Sequence, residues 1–218
     1  MSQLYDTVLE MVVTYQFLPN QRINEVHLAR RLDTSRTPIR EVLNRLHAQG
    51  FLQFKKGSGF SCREFSPREI QELYQLRSII EGAAIRLACE NATVAEVDEL
   101  QKFLQDTGPE PGNRGSQELV ELDQHFHERI MAMARNAEML GLLKNINARI
   151  KFFRWVDMEN KRSKTQTEHQ QIVQAMMDRD ADTAVDLLQS HIHHRLDEII
   201  SAVKTGNAIM NEQQDQAS

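Results

Sequence analysis

The chain opens on a stripe. Leu4, Val8, Met11, Val12 and Tyr15 recur three and four residues apart, the spacing of one face of an α-helix. Pro19 and Asn20 in "FLPNQRI" break the pattern. Asn24 is placed to cap a short second helix, "EVHLARRL". A polar turn, "DTS", leads to Ser35, which is placed to cap a third helix, "RTPIREVLNRLHAQ". Pro38 sits in its first turn, where the missing N–H breaks no intrahelical bond, and Gly50 ends it. The period then shortens to two. "FLQFKKGSGFSCREF" alternates around Leu52 and Phe54, turns at Gly57 and Gly59, and resumes an extended pattern over Phe60 to Phe65. Two helices joined by a three-residue turn and followed by a hairpin predict a winged helix-turn-helix.

From Ser66 onward the periodicity is helical throughout. Ser66, Pro67 and Glu69 form a start signal for a helix to about Glu90, and Thr93 with Glu96 repeats it for a helix to about Gln105. "DTGPEPGNRGS" reads as a loop, with helical patterns over about 117–134, 137–158, 164–178 and 181–204 behind it. No strand pattern appears after residue 66. The predicted fold class is mainly α: a winged helix-turn-helix over 1–66, an all-helical bundle over 67–205, and a disordered tail over 206–218.

Composition leaves this picture standing and adds one asymmetry. With 218 residues, 40% hydrophobic, the chain has the material for a real core. No run of about 18 apolar residues marks a membrane span. The first residues lack the basic region of a signal peptide. The two cysteines, Cys62 and Cys89, make no disulfide framework and are expected to be small buried or half-buried residues in a reducing cytoplasm. The net charge is −5, yet residues 1–66 carry nine Lys and Arg against six Asp and Glu. Within 22–63 the count is nine against three, so a local polyanion site is expected on an acidic protein.

The third helix is where that charge has a use. In a helix-turn-helix the first residues of the second helix enter the major groove. Here they are Ser35, Arg36, Thr37 and, a turn later, Arg40. Arginine takes guanine O6 and N7 together, or a phosphate; the hydroxyls and free helix-start N–H groups suit phosphate. In the wing, Lys55 and Lys56 offer backbone contacts, and Gly57, Ser58 and Gly59 allow close approach. Pro19, Glu25, Leu28, Ala29, Leu32, Ser35, Arg36, Thr37, Pro38, Arg40, Glu41, Leu43, Leu46 and Gly50 lie in register with the winged-helix motif of the GntR family of bacterial repressors, which this segment resembles. It departs from that motif at Asn20, where Gly is usual, at Thr34 and at Val42. The resemblance implies DNA contact by Ser35, Arg36, Thr37, Arg40 and the wing around Gly57 to Gly59.

In the second half, polar residues interrupt apolar stripes. Asp123 and His127 lie one turn apart beside Leu122, Phe126 and Ile130; His169 accompanies Ile172, Val173 and Met176; His191 accompanies Leu188, Ile192 and Leu196. A buried carboxylate needs a partner. A hydrogen-bonded Asp–His pair meets that need, and so does a cation held by three imidazoles and a carboxylate, the donor set of zinc or nickel. Spacing alone does not choose His191 over His193 or His194, or His127 over His125, although His125 and His193 point away from the named neighbours. Residues 67–204 resemble the ligand-binding domain of the FadR subfamily in its metal-binding branch, through Leu73, Tyr74, Arg77 and Glu81, then Asp123, Phe126 and His127, then Glu168, His169, Ile172, Ala175 and Met176, then Leu188, His191 and Ile192. Arg179 stands where that pattern usually has Gly. The resemblance implies a divalent metal, foremost zinc, on Asp123, His127, His169 and His191. It also implies a small organic acid as effector.

Arg77 is a candidate anchor for that acid, with a salt bridge to Glu81 as the alternative. The expected function is a homodimeric, ligand-responsive transcriptional repressor on a palindromic operator. A metal-dependent hydrolase is the rival, weakened because no second buried carboxylate is identifiable beside the four ligands. A constitutive DNA-binding protein with a purely structural metal is the third reading.

Overall fold

A computed structural model of the chain describes residues 2–14, 16–64, 66–108, 115–157 and 162–216. Tyr15, Phe65, the Pro- and Gly-bearing segment 109–114 and Met158 lie outside the described residues. The chain divides into two compact units, Met1–Ser66 with Ala148–Phe152, and Pro67–Asn147 with Phe153–Ser218.

The first unit contains α1 (Ser2–Val13), α2 (Glu25–Arg31), α3 (Arg36–Ala48), β1 (Leu52–Lys55) and β2 (Gly59–Cys62). The stripe of α1 is core: Val8, Met11 and Val12 are buried with Leu28, Ile39, Leu43, Leu46 and Phe60. Asn24 caps α2 as its spacing predicts, accepting from the N–H groups of Val26 and His27. Ser35 holds the cap position of α3, but its side chain makes no capping bond, which leaves the hydroxyl at the exposed helix start. Gly50 follows α3 with φ 83°, a left-handed conformation that glycine adopts without cost. The strands pair antiparallel, Leu52 with Cys62 and Lys55 with Gly59. The second strand ends at Cys62, short of the expected Phe65, and Arg22 bridges to Ser61 on its other edge.

The second unit is all helical among the described residues: α4 (Pro67–Asn91), α5 (Val94–Thr107), α6 (Ser116–Met133), α7 (Ala137–Asp157), α8 (Arg162–Met177) and α9 (Ala181–Gln216). The capping box at α5 is complete, with Thr93 and Glu96 bonded reciprocally. α4 runs against α6 and α9, while α8 packs on α5 and α9. Small residues on α4 allow the close approach; a Cβ on Gly82 would meet Gln189 Nε2 at 2.7 Å. The expected disordered tail departs from the structure, where α9 continues to Gln216. Residues 201–216 hold no proline and one glycine, so nothing in them forces the helix to stop. Cys62 and Cys89 are both buried and free, and burial pushes the Cys62 thiol up to about 11.

Candidate metal centre and nucleic-acid interface

In the first unit, the apolar face of α3 turns Ile39, Val42, Leu43 and Leu46 inward. The opposite face therefore presents Ser35, Arg36, Thr37 and Arg40 to solvent. Arg36, Thr37, Arg40 and Asn44 line a shallow open groove together with Glu25 of α2. Glu25 lies 3.5 Å from Arg36 Nη2 and so steadies one of the expected reading side chains. At the wing tip Lys55, Lys56, Gly57 and Ser58 are exposed and Gly59 half-buried, with the turn closed by Ser58 N–H donating to Lys55 O at 3.0 Å. Behind it Phe54 and Phe60 rings pack 4.9 Å apart.

In the second unit, Asp123 and His127 from α6, His169 from α8 and His191 from α9 come together, one candidate ligand atom from each within 4.8 Å of the others. All four are buried. Their helices place them there because each is one polar position in a stripe whose other members are core: Phe126, Ile130, Ile172, Val173, Leu188 and Ile192 are at most 1% exposed.

Hydrogen bonds fix how the imidazoles face. Glu81 Oε2 lies 2.5 Å from His127 Nδ1, and Glu168 Oε2 lies 2.7 Å from His191 Nδ1. An ionised carboxylate only accepts, so each Nδ1 carries the proton and each Nε2 presents its lone pair. His191 Nε2 and His169 Nε2 face each other at 3.3 Å. His169 Nε2 is also 3.3 Å from Asp123 Oδ1, without the alignment of a hydrogen bond. Asp123 Oδ1 and His127 Nε2 have no hydrogen-bond partner among the described residues. Four ligand atoms gathered at one point, two of them, Asp123 Oδ1 and His127 Nε2, without a hydrogen-bond partner among the described residues, fit a bound cation.

Burial drives the ring pKa values downward. His169 falls to about 4 through burial, against which its contact with Asp123 works. His127 and His191 are lowered for the same reason, opposed by Glu81 and by Glu168 respectively. Neutral imidazole is the ligand form. Burial alone would raise Asp123, but Arg154 and then His127 hold it well below the usual range. Burial would likewise raise Glu81, yet the Arg77 guanidinium and His127 hold it at about 2.

Two contacts around the centre were not singled out by spacing, that of Glu81 with His127 and that of Arg154 with Asp123. Glu81 is a fully buried carboxylate on His127, which corrects the expectation of no second buried carboxylate here. Both of its oxygens are engaged, one by His127 and one by Arg77 Nε, so it is an orienting group and a poor general base. Arg154 donates from Nη2 to Asp123 Oδ2 and from Nη1 to Asn147 Oδ1, the latter at 3.3 Å. Its signal was in the sequence: Leu143, Ile146, Asn147, Ile150 and Arg154 form one α7 stripe, all of them buried. Arg77 makes the expected bridge to Glu81 through Nε, while its Nη2 is buried without a partner among the described residues. His193 is exposed, as is His194, which reaches only the outer side of Glu168 at 3.4 Å.

A winged helix ahead of a helical domain with a buried His and Asp cluster is the build of a DNA-binding regulator. Residues 1–61 match the model of the bacterial regulatory proteins of the gntR family, and residues 72–194 match the FCD domain. The chain belongs to the GntR family of regulators that carry an FCD domain. The Nta operon transcriptional regulator of Aminobacter aminovorans is 38% identical over 89% of this chain and 91% of that protein. Among solved structures, a GntR transcriptional regulator from Rhodococcus sp. RHA1 is similar with TM-score 0.68 at 18% identity, covering 92% of this chain and 97% of that one. The metal-free FCD domain of TM0439 is similar with TM-score 0.55 at 17% identity, covering 65% of this chain and 99% of that one. The Aminobacter relative is a transcriptional regulator by name, and with the gntR family match it sets the hydrolase reading aside. No helix among the described residues is long and apolar enough to cross a membrane.

Proposed function

We propose that the protein is a homodimeric, cytoplasmic repressor whose operator affinity is set by a small organic acid held at a divalent metal, foremost zinc. The observation that carries this is the pair of buried, unpartnered lone-pair atoms, Asp123 Oδ1 and His127 Nε2, inside a four-residue ligand set. Asp123, His127, His169 and His191 hold the ion, and Glu81 and Glu168 orient two of its imidazoles. When bound, the ion supplies Lewis-acid attraction for a carboxylate. An ion of coordination number above four keeps positions for that acid. Arg77 serves twice, with Nε on Glu81 and Nη2 toward the effector.

DNA is read by Arg36 and Arg40, positioned by Ser35, Thr37 and the wing residues Lys55, Lys56, Gly57, Ser58 and Gly59. Effector binding shifts operator affinity through different affinities for two dimer states. The deciding experiment measures metal content of protein purified without chelator, then fluorescence anisotropy on operator DNA with a panel of carboxylic acids, with and without zinc. Expected are about one zinc per chain and operator release by at least one acid only when zinc is present. Zinc bound with no acid altering operator affinity would instead leave a structural metal in a constitutive binder.

A further inference from the structure

Around the candidate ligands the buried hydrogen-bond account does not close, and apart from the ligand atoms Asp123 Oδ1 and His127 Nε2 the groups left over there can all donate. Tyr74 Oη, Arg77 Nη2 and Asn147 Nδ2 are buried without a partner among the described residues. All three can donate, and two of them can only donate. Two of them are neighbours: the Arg77 guanidinium carbon lies 5.8 Å from the centre of the Tyr74 ring. Tyr74 and Arg77 lie one turn apart on α4, and Arg154 reaches from Asp123 to Asn147. Tyr74, Arg77, Arg154 and Asp123 interact electrostatically with one another.

The charge account points the same way. The guanidinium charges of Arg77 and Arg154 are balanced by the carboxylates of Glu81 and Asp123, all four within a buried cluster. The neutral imidazoles add nothing. Glu168 and Arg195, near His191, are partly exposed, opposite in sign and screened by water. A divalent ion on the four ligands would therefore leave two positive charges without a counter-charge where water does not reach. On the other side of Asp123 and His169 lies a small cavity walled by Phe103, Leu104, Leu119 and Phe126 with the uncharged polar groups Thr107, Thr165 and Gln166, and no cationic side chain among the described residues lines it.

We infer that the effector is a small dianion, a dicarboxylate, with one carboxylate on the ion and the other on the surplus donors of Tyr74, Arg77 and Asn147. This rests on the reading of the site as a metal-and-acid site and goes beyond it by fixing the charge and functional groups of the acid. A monocarboxylate would neutralise half of the excess charge and leave the donors empty.

The test is isothermal titration calorimetry on the zinc-loaded full-length protein with succinate, acetate and inorganic phosphate, with zinc content measured on the same samples. Succinate is expected to bind at least about tenfold more tightly than acetate, as expected for one additional well-made charged contact. Tyr74→Phe removes one hydroxyl without changing the packed ring, so it is expected to fold and keep its zinc. It should weaken succinate several-fold and leave acetate unchanged. Arg77 is left intact because it also positions Glu81 on His127. Equal affinities for acetate and succinate on zinc-loaded protein overturn the dianion and leave the metal site standing. Phosphate binding more tightly than succinate overturns the dicarboxylate in favour of a phosphoryl ligand. Succinate affinity unchanged in Tyr74→Phe removes that donor from the site. A chain that takes up no zinc overturns both this inference and the reading beneath it.

Discussion

Glu81 shows how much a single carboxylate can decide. It accepts from Arg77 and from His127, so both oxygens must be acceptors. Glu81→Gln keeps the shape but offers one acceptor and one donor, so one contact is lost. Metal affinity should then fall about 10- to 100-fold, the usual cost of losing a group that orients a metal-bound histidine, as read by competition with a chromophoric chelator. His169 makes a pH prediction. Its folded pKa, about 4, lies below its ordinary 6.5 because burial disfavours the charged ring. Between those values the unfolded chain binds a proton that the fold refuses. The melting temperature of metal-free protein should therefore drop as pH is lowered from about 6.5 to 4, and His169→Gln should flatten that dependence. Asp123 and the three histidines were legible as polar intrusions in apolar stripes. Glu81 as an orienting group was not, because its partner His127 is 46 residues away.

Among the elements, two departures from family sequence pattern have a common cause. Asn20 and Arg179 both have positive φ, 61° and 58°, at positions where glycine is usual. Asparagine tolerates that conformation by nature. Arg179 is held in it by donating to Cys89 O at 2.6 Å and Ala92 O at 2.7 Å, the carbonyls at the end of α4. Arg179→Ala keeps the strained φ and loses both bonds, so stability should fall by about 1 kcal/mol or more, checked by urea unfolding; Arg179→Gly should recover part of the loss. Helices were legible where caps and stripes coincide, as at Asn24 and Thr93. The end of α9 was not, since Gly206 and Asn207 read as a stop and the helix continues past them. Ser35 was legible as the cap position, but the choice between capping its own helix and exposing its hydroxyl depends on a rotamer that no spacing encodes.

On the scale of the whole molecule, charge and function are divided between units. Residues 22–63 carry six more basic than acidic groups inside a chain of net charge −5. Operator binding should weaken steeply with salt, because each neutralised phosphate releases counterions. Arg36→Ala or Arg40→Ala should cost at least about 1–3 kcal/mol of specific binding while leaving sedimentation and melting unchanged; retained operator affinity would remove α3 from the interface. Sedimentation of the intact chain should show a dimer at micromolar concentration, and a stable monomer would undercut two-fold operator recognition. The period-two pattern stops before residue 66, and the first unit's N-terminal stretch ends at Ser66. The surplus donors were not legible, because Tyr74 and Arg77 on α4 and Asn147 on α7 lie about 70 residues apart, and an unpartnered donor leaves no trace in the spacing of either helix.

The burial of the four ligands also bears on time. His127 is 0% exposed, His169 and His191 2%, and Asp123 8%, so no ion reaches them through the static fold. Entry and escape must wait for the helices to breathe apart. An ion taken up during folding would outlast brief treatment with a strong chelator and leave quickly in mild denaturant. On such a timescale a bound ion would behave as a fixed part of each molecule, and any ligand reaching the equally buried Tyr74, Arg77 and Asn147 would wait on the same opening.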